Sequence, residues 1–117
     1  MKSTLQDLFE RHLPAPGIIA CGVRLPDRTH LCQSCTDEIS HSQVELALNR
    51  LALAADSLNH HRLEANTFCW TFDRMRVHLA QRPDGSTLIV MAENGKHALA
   101  AASTDRLLAD FNDLPAT

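Results

Sequence analysis

The densest chemical signal in this 117-residue chain is Cys32-Gln33-Ser34-Cys35, flanked by His30 and His41, with Cys21 a short way upstream. Thiolates and imidazoles at such spacing are the ligand types of a tetrahedral zinc site, and a Cys-x-x-Cys pair is also the frame of a thiol-redox centre. Three features weigh against both. Zinc knuckles use a second Cys-x-x-Cys, and the sequence has none. In a regular strand Cys32 and Cys35 point to opposite faces. A redox pair opens a helix whose dipole lowers the thiol pKa, whereas the next helical pattern here begins several residues later. Cys32, Cys35, His30 and His41 are therefore secondary candidates for a metal or redox site. The main expectation is buried or idle thiols and no cofactor.

A second group is basic. Arg74, Arg76, His78 and Arg82 fall on one hairpin, where they would offer a docking patch to an acidic partner. Arg74, at the turn, is placed best to reach into a nucleotide site and neutralise developing phosphate charge. The plainer expectation is a solvated strand face. Phe68, Trp70 and Phe72 share one parity and suit a core or a seam between subunits better than a ligand platform. His60-His61, at the end of a long helical pattern, suits the negative helix end. No Gly-rich phosphate loop, nucleophile elbow or evident pair of catalytic carboxylates is present. Enzymatic activity is not expected.

The elements that would position these groups follow from periodicity. Ser3–Leu13 has Leu5, Leu8, Phe9 and Leu13 on one helical face, with Ser3 and Gln6 at capping-box spacing, and ends at Pro14 and Pro16. Ile18–Leu25 is apolar on both parities, Ile18 with Ala20 and Ile19 with Cys21, Val23 and Leu25, as in a central strand. Pro26-Asp27-Arg28 turns the chain into Thr29–Cys35, a more polar edge strand. From Ser42, again with Glu45 at capping-box spacing, a helix runs to Leu58 on the stripe Val44, Leu48, Leu51, Ala55 and Leu58. Ala65–Phe72 and Met75–Arg82 are strands joined at Asp73-Arg74. Pro83-Asp84-Gly85 turns into the central strand Ser86–Ala92, Glu93-Asn94-Gly95 breaks it, and a last helix spans Ala98–Leu114. The expected fold is α/β (α+β): one domain over residues 1–117, a five-stranded, mostly antiparallel sheet with helices on both faces, in the order α-β-β-α-β-β-β-α.

The totals bound the class of function. Hydrophobic residues make up 44% and charged residues 21% of the chain, with a formal net charge of −3. A nucleic-acid domain would be clearly basic, so no nucleic-acid partner is expected. No apolar run approaches the ~20 residues that cross a bilayer, and the opening Met1–Leu13 has mixed charges and no signal-peptide core. A cytoplasmic protein with reduced thiols is expected.

One feature points to a second copy of the chain. The Ala65–Phe72 strand carries three large aromatics and almost no charge, which at a sheet edge is an aggregation hazard. Pairing with a symmetry mate removes it. Leu46 and Leu53 lie off the stripe of the preceding helix and would extend the same contact. The expected homodimer interface is therefore Leu46, Leu53, Phe68, Trp70 and Phe72, with Arg74, Arg76 and Arg82 left for a further partner.

The element order, the opening helix followed by Pro16-Gly-Ile-Ile-Ala-Cys-Gly-Val23, and the meander Phe68-Cys-Trp-Thr-Phe-Asp-Arg-Met-Arg-Val-His-Leu79 with Pro83-Asp-Gly-Ser-Thr-Leu-Ile-Val-Met91 resemble the Roadblock / dynein light-chain family. That family shares its architecture with profilin and longin domains. Cys32-x-x-Cys35 departs from the family's unremarkable edge strand. The resemblance implies dimers formed through the long middle helix and the strand after it, and a role as scaffold or regulator of small Ras-like GTPases. A metal-binding or thiol-redox protein and a small-molecule sensor are the alternatives. A cavity between the sheet and the middle helix would favour the sensor.

Overall fold

The computed structural model describes residues 2–60, 67–94 and 97–114. The chain runs α1 (Lys2–His12), β1 (Ile18–Arg24), β2 (His30–Ser34), α2 (His41–His60), β3 (Thr67–Thr71), β4 (Met75–Gln81), β5 (Thr87–Glu93) and α3 (His97–Asn112). This is the order expected from periodicity. The strands form one antiparallel sheet in the order β2-β1-β5-β4-β3. The two strands with apolar residues on both parities, β1 and β5, sit at its centre, and β2 and β3 are its edges. Ala65 and Asn66, the expected start of the third strand, lie outside the described residues.

The sheet separates two cores. On one face Leu5, Leu8 and Phe9 of α1 and Leu107 and Phe111 of α3 close over Cys21, Val23, Leu88 and Val90. On the other, Val44, Leu48 and Ala55 of α2 cover Ile19, Ala20, Val77, Leu79, Ile89 and Met91. Strict alternation would group Ile18 with Ala20 and Ile19 with Cys21. The register of β1 against β5 shifts between Ile18 and Ala20, and Ile18 joins the α1–α3 core while Ile19 joins the α2 core. The extra residue of such a bulge exchanges the faces of everything beyond it.

Two helix starts differ from the sequence reading. α1 begins at Lys2, ahead of Ser3. α2 begins at His41: the Gln43 N–H donates to Ser40 Oγ at 3.2 Å and the Ser40 N–H donates to Gln43 Oε1 at 2.8 Å. Ser40 and Gln43 form the capping box, two residues before the expected Ser42 and Glu45. Ser40 wins because Ile39 and Val44 flank its box on both sides and pack into the same core, the hydrophobic staple that fixes a helix entry. The Ser42 alternative would have His41 in the first of those places.

α2 lies close on β1 because Gly22 has no side chain. A Cβ built there meets Val44 Cγ1 at 3.2 Å, with Cys32 Sγ and Leu48 Cδ2 at 3.4 Å. Val44 is β-branched and fully buried, so it yields poorly. Gly22→Ala is expected to cost about 1–3 kcal/mol, the range for overpacking, as read by urea unfolding. A neutral or stabilising result would show that α2 rides up freely.

Candidate functional site

β3 pairs with β4 and, among the described residues, with no other strand. Its residues alternate between exposed and half-buried. Phe68 and Trp70 stand opposite Leu79 and Val77, on the α2 side of the sheet, and pack at the margin of the α2 core. Their rings stack with centroids 5.8 Å apart and planes 19° from parallel. Thr67, Cys69 and Thr71 are exposed on the other face. No charge, proline or glycine interrupts Thr67–Thr71, so neither a charge nor a proline within the strand blunts this edge.

Three large apolar side chains are bare: Leu46 at 50% and Leu53 at 64% of full exposure on α2, and Phe72 at 50% just after β3. Leu46 and Leu53 lie two turns apart on one stripe of α2 with Arg50 between them. Between the first half of α2 and the β3–β4 turn runs an open groove of about 1000 Å³, whose lining includes Leu46, Arg50, Phe72, Arg74 and Met75. A second hollow of about 850 Å³ continues past Arg74 to Glu38 and Glu93. The structure thus gathers four of the expected interface and partner residues, Leu46, Phe72, Arg74 and the neighbouring Trp70, into one region. Leu53 lies farther along α2.

Asn94 fixes the turn that carries Phe72 and Arg74. Its side-chain amide donates to the carbonyls of Phe72 at 2.7 Å and Asp73 at 3.3 Å, and its backbone N–H donates to Arg74 O at 3.2 Å. By sequence alone Asn94 is only part of a strand break. An asparagine just past a central strand was the available signal, but its partner lies 21 residues away in sequence.

The basic patch does not form as expected. Arg74 is exposed at one end of β4 and Arg76 is half-buried on the face opposite α2. Arg82 lies beyond the other end of β4 and is 8% exposed. Its guanidinium donates to Phe111 O at 3.1 Å and Leu114 O at 2.7 Å, and stands 5.6 Å from the Phe111 ring centroid. Arg82 is removed from the partner-binding set. It caps the last carbonyls of α3, the place where a cation satisfies both the orphan acceptors and the negative helix end.

The cysteine segment divides across the sheet. Cys32 packs in the α2 core and Cys35 against the α1–α3 core. His30 Nε2 is 2.8 Å from Asn49 Oδ1, and His41 occupies the first position of α2. Among the described residues no three His, Cys, Asp or Glu side chains stand where they could hold a metal ion. The thiols are tuned away from reactivity: burial, with the Glu45 charge adding, pushes Cys32 up to about 11, and burial also raises Cys35 and, with Cys35 nearby, raises Cys21 well above the ordinary thiol value. A thiol whose pKa is raised carries less thiolate at a given pH. At pH 8 a disulfide reagent is expected to modify the exposed Cys69 in the first fast phase, with Cys21 and Cys32 reacting only on unfolding. Fast reaction of Cys32 or Cys35 in native protein would reopen the redox reading.

Comparison of the sequence with family models finds no match, and comparison with characterised proteins finds none either. Among solved structures, the chain is similar to Myxococcus xanthus MglB, at 11% identity over 92% of this chain and 91% of that one, with a TM-score of 0.56. It is also similar to a Roadblock/LC7 domain from Streptomyces avermitilis, at 14% identity over 90% and 88% of the two chains, with a TM-score of 0.53. The chain has the Roadblock/LC7 fold, as the sequence resemblance led one to expect.

Proposed function

We propose that this Roadblock-fold chain is a homodimeric interaction module that scaffolds or regulates a small Ras-like GTPase, and that it is not an enzyme. The observation that carries the reading is β3: an outer strand with no charge along its edge, with bare Leu46 and Phe72 lining one groove beside it. A second copy covers that margin, and a two-fold contact is self-complementary by construction. The GTPase partner is what the family resemblance implies, and the fold is compatible with it. Arg74, exposed at a turn braced by Asn94, is the cation placed to meet such a partner. The acidic total charge and the absence, among the described residues, of a helix able to cross a membrane fit a protein that works on other proteins in the cytoplasm.

Sedimentation velocity at micromolar concentration tests the dimer, and a single monomeric species there removes the basis of the proposal. A pull-down against Ras-like GTPases of the source organism, loaded with GDP or a GTP analogue, tests the partner. Equal failure in both nucleotide states rejects it.

The groove of about 1000 Å³ is large enough for a small molecule, which gives the sensor reading a specific observation. Native mass spectrometry of the purified protein checks it: a retained ligand supports a sensor, and a bare mass leaves the groove to protein contacts.

A further inference from the structure

We infer that the hollow between the end of α1 and α3 is a binding site for a phosphate monoester, held between the guanidinium groups of Arg11 and Arg106. It lies on the α1–α3 side of the sheet, away from the α2 groove, and does not depend on the homodimer reading.

The hollow measures about 320 Å³. Its polar lining is Arg11, His12, Ser103 and Arg106, and Pro14 and Pro16 supply apolar walls. No carboxylate lines it, although the chain as a whole carries a net charge of −3. A cleft with one sign of charge and low-dielectric walls focuses the field and concentrates ions of the opposite sign.

The helices offer both arginines a carboxylate, and neither takes it. Asp7 stands four residues before Arg11 on α1, and Asp110 four residues after Arg106 on α3, the spacing at which helical ion pairs form. Asp7 and Glu10 line a neighbouring hollow that Arg11 also borders. Yet among the described residues no carboxylate stands within ion-pair distance of either guanidinium. Asp110 is engaged by His12, whose Nε2 lies 2.7 Å from Asp110 Oδ2. That contact ties the end of α1 to α3 and so sets the separation of Arg11 from Arg106. Both arginines are exposed, and their donors are left for a ligand.

Helix ends account for only part of this arrangement. Arg11 and His12 occupy the last turn of α1, where cations offset the negative end of the helix. Arg106 lies well inside α3 and has no helix end to serve. Its charge repels that of Arg11 across the hollow, and an anion between them turns that repulsion into attraction.

The lining also selects the anion. A guanidinium meets a phosphate through two parallel N–H···O bonds. A phosphate monoester carries about −1.5 to −2 charges at neutral pH and three acceptor oxygens, enough for both forks and the Ser103 hydroxyl together. A carboxylate has one charge and two oxygens. The volume is at the bottom of the range for ligand pockets. It admits a phosphate on a short stem and excludes a nucleotide, for whose base no aromatic ring lines the hollow.

Titration of the 15N-labelled full-length protein with inorganic phosphate at neutral pH, set against sodium chloride at matched ionic strength, tests the site. Saturable shifts of the Arg11 and Arg106 Nε–H signals and of the Ala15 and Ser103 amides are expected with phosphate alone. R11Q and R106Q are each expected to weaken binding roughly tenfold or more, the worth of one charge-assisted contact. R28Q, which removes an exposed arginine at the far end of β1, should leave it unchanged. Glycerol 3-phosphate and a phosphoseryl peptide separate the sources. Tighter binding of the first assigns the hollow to a small phosphorylated metabolite and of the second to a phosphorylated protein segment, and either supports the site. Equal shifts in phosphate and chloride would overturn the inference, as would undiminished phosphate binding by R11Q and R106Q.

Discussion

Thr71→Pro is expected to weaken self-association by roughly a hundredfold while leaving the fold of each chain intact. The Thr71 N–H points away from β4, as the alternation of bonds from Phe72–Met75 requires. Proline at that position deletes no bond within the chain's own hairpin, and edge strands tolerate proline where the lost N–H faces solvent. In the homodimer proposed above it does delete an N–H offered to the second copy, and its ring obstructs the approaching strand. Two-fold symmetry counts the loss twice. At about 1 kcal/mol for each hydrogen bond, plus the obstruction, the deficit is about 2–3 kcal/mol, which converts to the stated change in dissociation constant. Trp70→Pro is the contrasting variant. The Trp70 N–H bonds toward Val77, so that change damages the hairpin itself and lowers the midpoint of thermal unfolding as well. Sedimentation equilibrium and circular dichroism read the two effects separately. Unchanged self-association of T71P would show that β3 is not the seam.

The second large effect belongs to Arg82. Arg82→Met is expected to destabilise the protein by about 3–4 kcal/mol. The change leaves the carbonyls of Phe111 and Leu114 without their charged donor and removes the cation from the face of the Phe111 ring. Bonds to charged groups are worth about 1.5–3 kcal/mol each, and the loss is concentrated at the end of the helix that closes one core. The thermal midpoint is expected to fall by roughly 12–20 °C. Arg82→Lys should recover part of this, since an ammonium reaches one carbonyl but lacks the planar fork that spans two. Neither variant should change the affinity for an acidic partner beyond its effect on folding, because the guanidinium is buried. A loss of less than 1 kcal/mol for R82M would mean that α3 is held by its apolar face alone.

Much of the architecture was legible from the residues because its causes are local. Alternation of Met75, Val77 and Leu79 with Arg76 and His78 marks a strand with one covered face. Apolar residues on both parities place β1 and β5 inside the sheet. Even the separation of Cys32 from Cys35 follows from a three-residue step along an extended chain. The aromatic, uncharged character of β3 could be seen in the same way, whereas its place at the edge is set by the pairing of β4 with β5 and of β5 with β1.

Tertiary structure alone decided what depends on partners distant in the chain. The bulge between Ile18 and Ala20 exchanges the faces of the two isoleucines, and no composition rule distinguishes the bulged strand from a regular one. Arg82 reads as one more cation on a basic hairpin until α3 brings its last carbonyls over it, some 30 residues later in the chain. Asn94 reads as a strand breaker until the β3–β4 turn comes within reach of its amide. Side-chain periodicity reports which face of an element is wet. It carries no information about which backbone group on another element will meet a given polar side chain, because that meeting is set by the packing of the whole sheet and its helices.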